Sequence, residues 1–399
     1  MENNKNLKSR GDDVFIGTYL RYPAAMIEGS GCRLVDADGK QYLDFLSGIA
    51  VCALGHSHPQ VSRAICAQAE KLVHVSNLYY TQPQIELAEM LVANSFGDKL
   101  FMCNSGAEAN EAAIKLARIH SASGRYKVIS LGGSFHGRTL ATVAATGQPK
   151  FHQGFEPLPD GFVHAPFGDL DELEKCIDDA TCAILCEPLQ GEGGVRPLSV
   201  AYLQGIRELC DKYGLLLIFD EIQTGMGRTG TLFAHEQLSV TPDILTMAKA
   251  LGNGLPIGAM MTTEAIAASF VPGTHASTFG GNPVACAAGV ATLRIILEDG
   301  FLAGVREKGD YFRSKLEGLA VRFPGLLSSA RGMGLLVGGV LTEKGIAVGG
   351  EIVTRMFERG YLMNFAGNSV LRFVPPLIVT EQEIDEIVEA LAGVLAEYS

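Results

Sequence analysis

The sequence predicts an α/β protein with a mostly parallel central sheet covered by helices, together with a smaller α+β domain. Two patterns lead to this fold class. Between residues 60 and 285, short apolar runs alternate with helical stretches, which is typical of a parallel sheet with helices on its faces. From residue 286 onward, long helical stretches and a Gly-rich strand replace that alternation. The length, 399 residues, is also more than one hydrophobic core usually holds.

Along the chain, residues 1–20 are expected to form a loose arm. Cys32 to Phe45 then shows two short strands around Asp38-Gly39, a dipeptide that favours a tight hairpin turn. Strand-like apolar runs follow at Leu100–Cys103, Lys127–Leu131, Cys182–Cys186, Leu215–Phe219, Ile244–Met247 and Gly334–Val340. Helical patterns cover Ser105–Ile119, Val200–Lys212, Ala285–Glu298, Tyr311–Arg322 and a closing stretch from Glu381.

These patterns suggest three segments. Residues 1–59 are predicted to be an N-terminal arm and hairpin that join the smaller domain. Residues 60–285 would form the large domain, and residues 286–399 the small C-terminal domain. Because no repeat, low-complexity tract or long linker separates them, the domains are expected to be tightly joined.

Composition narrows the function classes. Apolar residues make up 47% of the chain and charged residues 19%, which suits a globular protein with a large core. The net charge of −12 and the lack of a basic cluster argue against nucleic acid or an anionic membrane as the main partner. Small anions stay possible, because local arginines can bind them in an acidic protein.

The cysteines point to a reducing compartment. There are nine, an odd number, and they lack CxxC pairs, so free thiols are the simplest interpretation. The first 13 residues are polar, without the apolar segment of a signal peptide, and no run of 18 apolar residues occurs. We therefore expect a cytoplasmic protein.

A candidate site acid follows one of the apolar runs. Leu215 to Phe219 are five apolar residues, and Asp220 stands just past them, at the edge where parallel α/β sheets bind ligands. A carboxylate there can hold a cationic ring nitrogen. A helix cap or a surface acid explains this stretch equally well when it is taken alone.

A candidate nucleophile follows the next apolar run. Lys249 comes after Ile244–Met247 and before a Gly-rich loop. A lysine at an inward-facing strand end can lose its proton through desolvation or nearby cations and so become a nucleophile. Taken alone, an ordinary exposed lysine is the more common case.

The third candidate is the start of a helix. Ser105 is a good N-cap for the Ala-rich helical run, and Gly106 lets a ligand approach the backbone, with Ala107 next. Free N–H groups and the helix dipole make such an end an anion site, although capping alone also explains it. Together these three features match the needs of pyridoxal 5′-phosphate (PLP). Its aldehyde needs a lysine, its ring nitrogen needs an acid, and its phosphate needs an anion site such as this helix start.

Two further patterns are weaker. Gly225 to Gly230 matches the dinucleotide fingerprint GxGxxG, but it neither directly follows a strand nor opens a clear helix, so we interpret it as a loop. His56 and His58 could suggest a metal pair, but without a spaced third ligand a turn before a helix is the better interpretation, and we predict no metal site.

At these residues the chain resembles the class III aminotransferases of PLP fold type I over essentially its whole length. The matching motifs are Leu54–Pro59, Cys103–Glu111, Phe135–Thr139, Glu187–Gly194, Phe219–Gly225 and Ser277–Pro283. So many matches in order are specific for the class and less specific for the substrate.

The resemblance implies a role for each matching residue. Lys249 bonds the PLP aldehyde and shuttles a proton, Asp220 pairs with the ring nitrogen, Phe135 stacks on the ring, and Gln223 reaches the phenolic oxygen. The phosphate is held by Ser105, Gly106 and Ala107, with Thr278 of the neighbouring subunit in a homodimer. Substrate would be bound by Arg138, by Arg372 with Glu192 as its switchable partner, and by Tyr19 of the arm.

The activity that the resemblance implies is transfer of the terminal amino group of N2-acetyl-L-ornithine to 2-oxoglutarate. The products are N-acetyl-L-glutamate 5-semialdehyde and L-glutamate, as in arginine biosynthesis. Within the class, ornithine, succinylornithine, N-succinyl-diaminopimelate and 4-aminobutyrate stay open as donors. An aminomutase on the same fold is a more distant alternative, and a binding or scaffold protein that has lost catalysis is the non-enzyme one.

The flanking glycines, Gly191, Gly193 and Gly194, are expected to give the Glu192 loop freedom to move.

Overall fold

The centre of the molecule is a seven-stranded mixed sheet, seen in a computed structural model that describes residues 2–121 and 124–399. Five neighbouring strands run parallel, as the alternating pattern predicted. In spatial order the strands are Lys99–Cys103, Gly258–Thr262, Ile244–Met247, Leu216–Asp220, Thr181–Cys186, Lys127–Leu131 and Phe162–Ala165.

Helices cover both faces of this sheet because its strands are apolar on both sides. Leu217 and Phe219 pack with one buried cluster that includes Leu203, whereas Ile218 between them packs with another that includes Ile114. The helices of this region are Pro59–Ala69, Gln82–Ala93, Gly106–His120, Leu140–Ala145, Leu170–Lys175, Val200–Tyr213, Ala234–Leu238, Glu264–Ala267 and Pro283–Ile296.

The strand Gly258–Thr262 was not among the predicted apolar runs. It runs antiparallel to both of its neighbours, Ile244–Met247 and Lys99–Cys103, and all five of its residues are buried. Its insertion makes the sheet mixed, and it places Lys99–Cys103 at one edge of the sheet.

The C-terminal region has its own four-stranded antiparallel sheet. Its spatial order is Leu327–Met333, Leu336–Leu341, Val370–Phe373 and Asn364–Ala366. The accompanying helices are Phe301–Arg322, Glu343–Glu358 and Glu381–Leu395. This antiparallel sheet with its helices agrees with the α+β fold that the sequence predicted from residue 286 onward. The predicted boundary after residue 285 falls inside the helix Pro283–Ile296, so we propose to place it after that helix.

The N-terminal hairpin pairs with a strand of the C-terminal region. Strands Arg33–Asp36 and Gln41–Asp44 pair antiparallel, and Gln41–Asp44 also pairs in parallel with Tyr361–Leu362. Met26–Ser30 completes this sheet on the other side, and a short helical turn, Ser47–Ala50, follows it.

The expected loose arm begins with a helix, Asn4–Val14, so that expectation was wrong in part. The Asn3 side chain caps this helix by accepting from Asn6 N at 2.9 Å, and Asn4 Nδ2 donates to Asp36 Oδ2 at 2.9 Å. No helix in the described part of the chain combines the length and apolar character needed to span a bilayer.

Candidate active site

A cavity of about 440 Å³ opens at the carboxyl ends of the central strands. This is the edge at which an open parallel sheet places its ligands. The structure brings most of the predicted site residues into its lining: Ser105, Gly106, Ala107, Phe135, Arg138, Glu192, Asp220, Gln223 and Lys249.

Asp220 ends its strand with its carboxylate held from two sides. Asp220 Oδ2 accepts from Asn110 Nδ2 at 2.8 Å and lies 2.8 Å from His136 Nδ1. Thr246 Oγ1 donates to Asn110 Oδ1 at 2.8 Å, which turns the amide nitrogen of Asn110 towards Asp220. All four side chains are buried, so the acid has a fixed position and a desolvated setting.

The adjacent acid has a different environment. Glu221 accepts from Ala234 N at 2.5 Å, His235 N at 3.0 Å and Thr224 Oγ1 at 3.1 Å, and it is almost fully buried. It therefore caps the helix Ala234–Leu238, while Asp220 faces the cavity.

Lys249 lines the same cavity two residues after the strand Ile244–Met247. Burial lowers the pKa of its amine to about 8, and the nearby Arg372 acts in the same direction, against Glu192, which raises it. Its backbone has φ of +43°, a left-handed conformation that costs a non-glycine residue on the order of 1–3 kcal/mol. An amine with this pKa is neutral in an appreciable fraction near physiological pH, and that neutral form can act as a nucleophile.

The helix start on the opposite wall is built to approach a ligand. Ser105 is the N-cap of Gly106–His120, and its side chain accepts from Glu108 N at 3.2 Å. A Cβ at Gly106 would lie 2.7 Å from Ile222 Cδ1, so a larger residue there would push the Ile222 side chain aside. The first N–H groups of a helix lack intrahelical partners and attract anions.

Phe135 is fixed by a buried carboxyl. Its backbone N–H donates to Glu187 Oε2 at 3.1 Å, and its ring meets the Phe151 ring edge-on at 5.7 Å. Burial, together with the nearby Asp220 charge, raises the pKa of Glu187 well above its usual value. Glu187 lies in a motif that matched the family, but sequence reasoning gave it no role.

Arg138 stands at the exposed side of the cavity. Its guanidinium carbon lies 4.0 Å from the centre of the Phe151 ring and 5.4 Å from that of Phe135, so the aromatic faces hold it in place. The residue itself is exposed, which leaves its donors available to a carboxylate.

Arg372 lies behind the cavity wall, fully buried, and bonds Glu192. The distance from Arg372 Nη1 to Glu192 Oε1 is 2.5 Å. Gln223 contacts both partners: its Oε1 accepts from Arg372 at 3.3 Å and its Nε2 donates to Glu192 at 3.4 Å. Arg372 Nε also donates to Asn364 Oδ1 at 3.1 Å. Burial alone would raise the pKa of Glu192, but the charge and hydrogen bond of Arg372 lower it overall.

The loop that carries Glu192 is the tip of a two-stranded hairpin, Leu189–Gln190 and Arg196–Pro197. Two of its glycines allow close packing against neighbouring residues, and the expected freedom of movement stays a prediction. A Cβ at Gly191 would lie 1.7 Å from Gln223 Oε1, and one at Gly193 would lie 2.5 Å from Gly133 O. A side chain at either position would therefore collide with neighbouring groups of the site.

Besides Arg372, two predicted residues lie outside the cavity of their own chain. Tyr19 is 72% exposed and does not line it. Thr278 is exposed as well, in a loop that Asn104 ties to the helix start through a 3.1 Å bond from Asn104 Nδ2 to Ser277 Oγ. Their roles towards a neighbouring subunit stay predictions.

The two weaker patterns have structural roles. The stretch from Gly225 to Gly230 is a loop, as interpreted, and its buried Arg228 donates to Leu335 O at 3.0 Å and Pro375 O at 2.5 Å. His56 Nε2 lies 2.7 Å from Asp44 Oδ2. Within residues 2–121 and 124–399, the His, Cys, Asp and Glu side chains form no group of three or more that could hold a metal.

Comparison with known proteins defines the class. Residues 18–395 match the family model described as Aminotransferase class-III, so the chain belongs to the class III aminotransferases. The family and site together make it a PLP-dependent transaminase of fold type I, which confirms the resemblance read from the motifs.

Its relatives are similar over nearly their full length. An acetylornithine aminotransferase of Caldanaerobacter subterraneus is 52% identical, covering 95% of this chain and 96% of that protein. One from Gloeobacter violaceus is 51% identical over 95% of both. Among solved structures, an ornithine aminotransferase from Toxoplasma gondii has a TM-score of 0.94 at 31% identity, covering 100% of this chain and 96% of that one. An N-acetylornithine aminotransferase from Stenotrophomonas maltophilia has a TM-score of 0.84 at 37% identity, with 98% of each chain covered.

The residues present fit PLP. The cavity has a helix start for a phosphate, a fixed carboxylate at Asp220 for a ring nitrogen and a desolvated amine at Lys249 for an aldehyde. Gly106 lines this wall without a side chain, in close contact with Ile222. Each of these groups matches one functional part of the cofactor.

Proposed function

We propose that this protein transfers the terminal amino group of N2-acetyl-L-ornithine to 2-oxoglutarate, giving N-acetyl-L-glutamate 5-semialdehyde and L-glutamate. The observation that carries the proposal is the ion pair between the buried Arg372 and Glu192, because Glu192 lines the same cavity as Arg138 and Lys249. The names of the full-length relatives support the same substrate.

An enzyme of this kind has to accept two donors in one pocket. Glutamate presents its α-amine with one carboxylate close and one far, while acetylornithine presents a terminal amine with its carboxylate far away. Arg138 can bind the far carboxylate of both through a planar fork that matches a carboxylate. Arg372 serves only the near carboxylate of glutamate, and Glu192 neutralises it when that carboxylate is absent.

The lining of the cavity supports an assignment of the residues that would hold PLP. Ser105, Gly106 and Ala107 would bind the phosphate, Asp220 the ring nitrogen, and Phe135 the ring face. When bound, PLP supplies an electron sink that stabilises negative charge at the substrate carbon.

The side chains of the chain then handle binding and protons. Arg138 fixes the substrate by its carboxylate, so that the amine-bearing carbon comes to Lys249. The neutral Nζ of Lys249, whose pKa of about 8 lies near the working pH, takes the proton from that carbon. Asn110 and His136 keep the Asp220 carboxylate in place.

A panel of amino donors with 2-oxoglutarate tests the substrate. N2-acetyl-L-ornithine should have the highest kcat/KM among acetylornithine, ornithine, succinylornithine, N-succinyl-diaminopimelate and 4-aminobutyrate. Ornithine is the best-supported rival, because a structural neighbour at a TM-score of 0.94 is an ornithine aminotransferase. A higher kcat/KM for ornithine would overturn the proposed donor. A visible absorption band of bound PLP with no turnover of any donor would instead favour a binding protein on the same fold.

The proposed working form is a homodimer with shared sites. Apolar side chains stand exposed beside the Thr278 loop, with Leu78 81%, Tyr80 93% and Phe279 60% exposed. Asn77 Nδ2 ties the two segments together by donating to Gly280 O at 2.9 Å. A patch of this kind marks a protein interface. Sedimentation analysis should give a dimer, and a fully active monomer would refute the shared site.

We also propose the cytoplasm as its location. All nine cysteines are free, which suits a reducing compartment.

A further inference from the structure

The small antiparallel sheet places two arginines in one row. Arg331 on the strand Leu327–Met333 is opposite Gly338, and Gly338 is opposite Arg372 on the strand Val370–Phe373. Asn364 extends the row beyond Arg372. Residues opposite each other in neighbouring strands point to the same face, so both arginines project from the same side of this sheet.

The hairpin tip that carries Glu192 lies across this row. At one end, Arg372 Nη1 bonds Glu192 Oε1 at 2.5 Å. At the other end, Arg331 donates to Gly194 O twice, from Nη2 at 2.7 Å and from Nε at 3.2 Å. Between them, a Cβ at Gly338 would lie 3.1 Å from Val195 Cβ, so the tip rests on the one residue of the row that lacks a side chain.

The two arginine contacts differ in kind. Arg372 bonds a side-chain carboxylate that can rotate away, whereas Arg331 bonds a backbone carbonyl of a tip whose glycines are closely packed. Within the described residues, no carboxylate oxygen lies within 4.0 Å of the Arg331 guanidinium. The Arg331 guanidinium therefore hydrogen-bonds the hairpin tip and forms no ion pair with these residues.

We propose that Arg331 is a positioning residue for donor selection. It holds the hairpin tip so that the Glu192 side chain reaches Arg372, and it thereby sets how readily a second substrate carboxylate gains access to Arg372. This inference rests on the proposed switching role of Glu192. It assigns to the small sheet both a fixed anchor, Arg331, and a switched contact, Arg372.

Glutarate is the probe, because this five-carbon dicarboxylate has no amine and binds without reacting. Its second carboxylate needs a free Arg372, so its Kd in the holoenzyme, measured by calorimetry, reports how firmly Glu192 occupies Arg372. Arg331→Met should loosen the tip and tighten glutarate binding by about 3- to 10-fold, the net scale of one ordinary intramolecular hydrogen bond. The single-turnover rate with acetylornithine should fall at the same time.

Two further variants separate position from charge. Arg331→Lys keeps the charge and a donor group but not the two-nitrogen contact to Gly194 O, so its glutarate Kd should lie between those of the wild type and Arg331→Met. If Arg331 acted only by attracting dicarboxylates, Arg331→Met would weaken glutarate binding, which is the opposite sign. Arg313→Met is the matched control, because Arg313 donates to Gly332 O at 3.4 Å beside the same strand but away from the tip. It should leave the Kd unchanged.

The decisive comparison uses Glu192→Ala. With the carboxylate gone, Arg331→Met should change the glutarate Kd no further, because the two residues act through one contact. The positioning role would be overturned, while the switch would stand, if Arg331→Met left glutarate binding unchanged or weakened it. The same holds if Arg331→Met still changed the glutarate Kd in the Glu192→Ala background. If Glu192→Ala itself failed to tighten glutarate binding, the switch would fail and the role of Arg331 with it. If Arg331→Met does not fold, Arg331→Lys carries the same comparison.

Discussion

Replacing Glu192 by alanine isolates the contact on which donor choice depends. The side chain of Arg372 is 0% exposed and that of Glu192 is 30% exposed, so the pair is largely desolvated. In Glu192→Ala, Arg372 would keep the oxygens of Gln223 and Asn364 but lose its only carboxylate in the described structure. The arginine would then stand open to any near carboxylate.

The expected change in the ratio of the two half-reaction rates follows from this arrangement. Removing one partner of a desolvated charge pair costs on the order of 2–5 kcal/mol. Because two neutral oxygens stay on Arg372, we expect the lower end, about 2 kcal/mol, which corresponds to roughly 30-fold in a rate ratio. The glutamate half-reaction should hold or improve, and the acetylornithine half-reaction should fall by about this factor relative to it.

Single-turnover rates with each donor measure the two half-reactions separately. Glu192→Gln is the matched control: it keeps the shape and a hydrogen bond without the charge, so its ratio should lie between those of the wild type and Glu192→Ala. Equal losses in both half-reactions would refute the switch and would show that Glu192 only stabilises its hairpin tip.

Three other outcomes are expected. In the apoenzyme, labelling of Lys249 by an amine-reactive reagent should rise with pH around a midpoint near 8, because only the neutral amine reacts. A midpoint near the ordinary pKa of lysine would contradict the desolvation of this amine. Lys249→Ala should abolish turnover, and borohydride reduction of the wild-type holoenzyme followed by peptide mapping should label Lys249 and no other lysine. Thr278→Ala should weaken PLP binding, and mixing it with Lys249→Ala chains should restore activity above the sum of the two, whereas no gain from mixing would count against a shared site.

The parallel core was predictable because its strands are short, apolar on both faces and separated by clear helices. The strand Leu216–Asp220 and the helix Gly106–His120 lie within one residue of the predicted ends. The position of Asp220 and Lys249 beside one cavity was also predictable, since the carboxyl ends of neighbouring parallel strands meet at one edge of a sheet.

Other elements depended on tertiary contacts. The strand Gly258–Thr262 contains Ala and Met, which favour helices, and its burial between two strands overrides that preference. The helix Asn4–Val14 has no apolar face and is tied down by Asn4 through the hairpin turn. The partners of Asp220 come from distant segments: Asn110 and His136 lie in matched motifs, but only the fold shows that they converge.

Two neighbouring acids, Asp220 and Glu221, stand at the end of the strand Leu216–Asp220. Their different roles make this site sensitive to the register in which that one strand pairs with its neighbours. Asp220 faces the cavity and Glu221 faces the helix Ala234–Leu238, because successive side chains alternate between the faces of a sheet. A slip of one residue would bring Glu221 to the cavity, with a longer side chain, and would take the cap from that helix. Chain-length changes in the Leu215–Phe219 run would thus damage chemistry and folding together, even where every substituted residue stayed apolar.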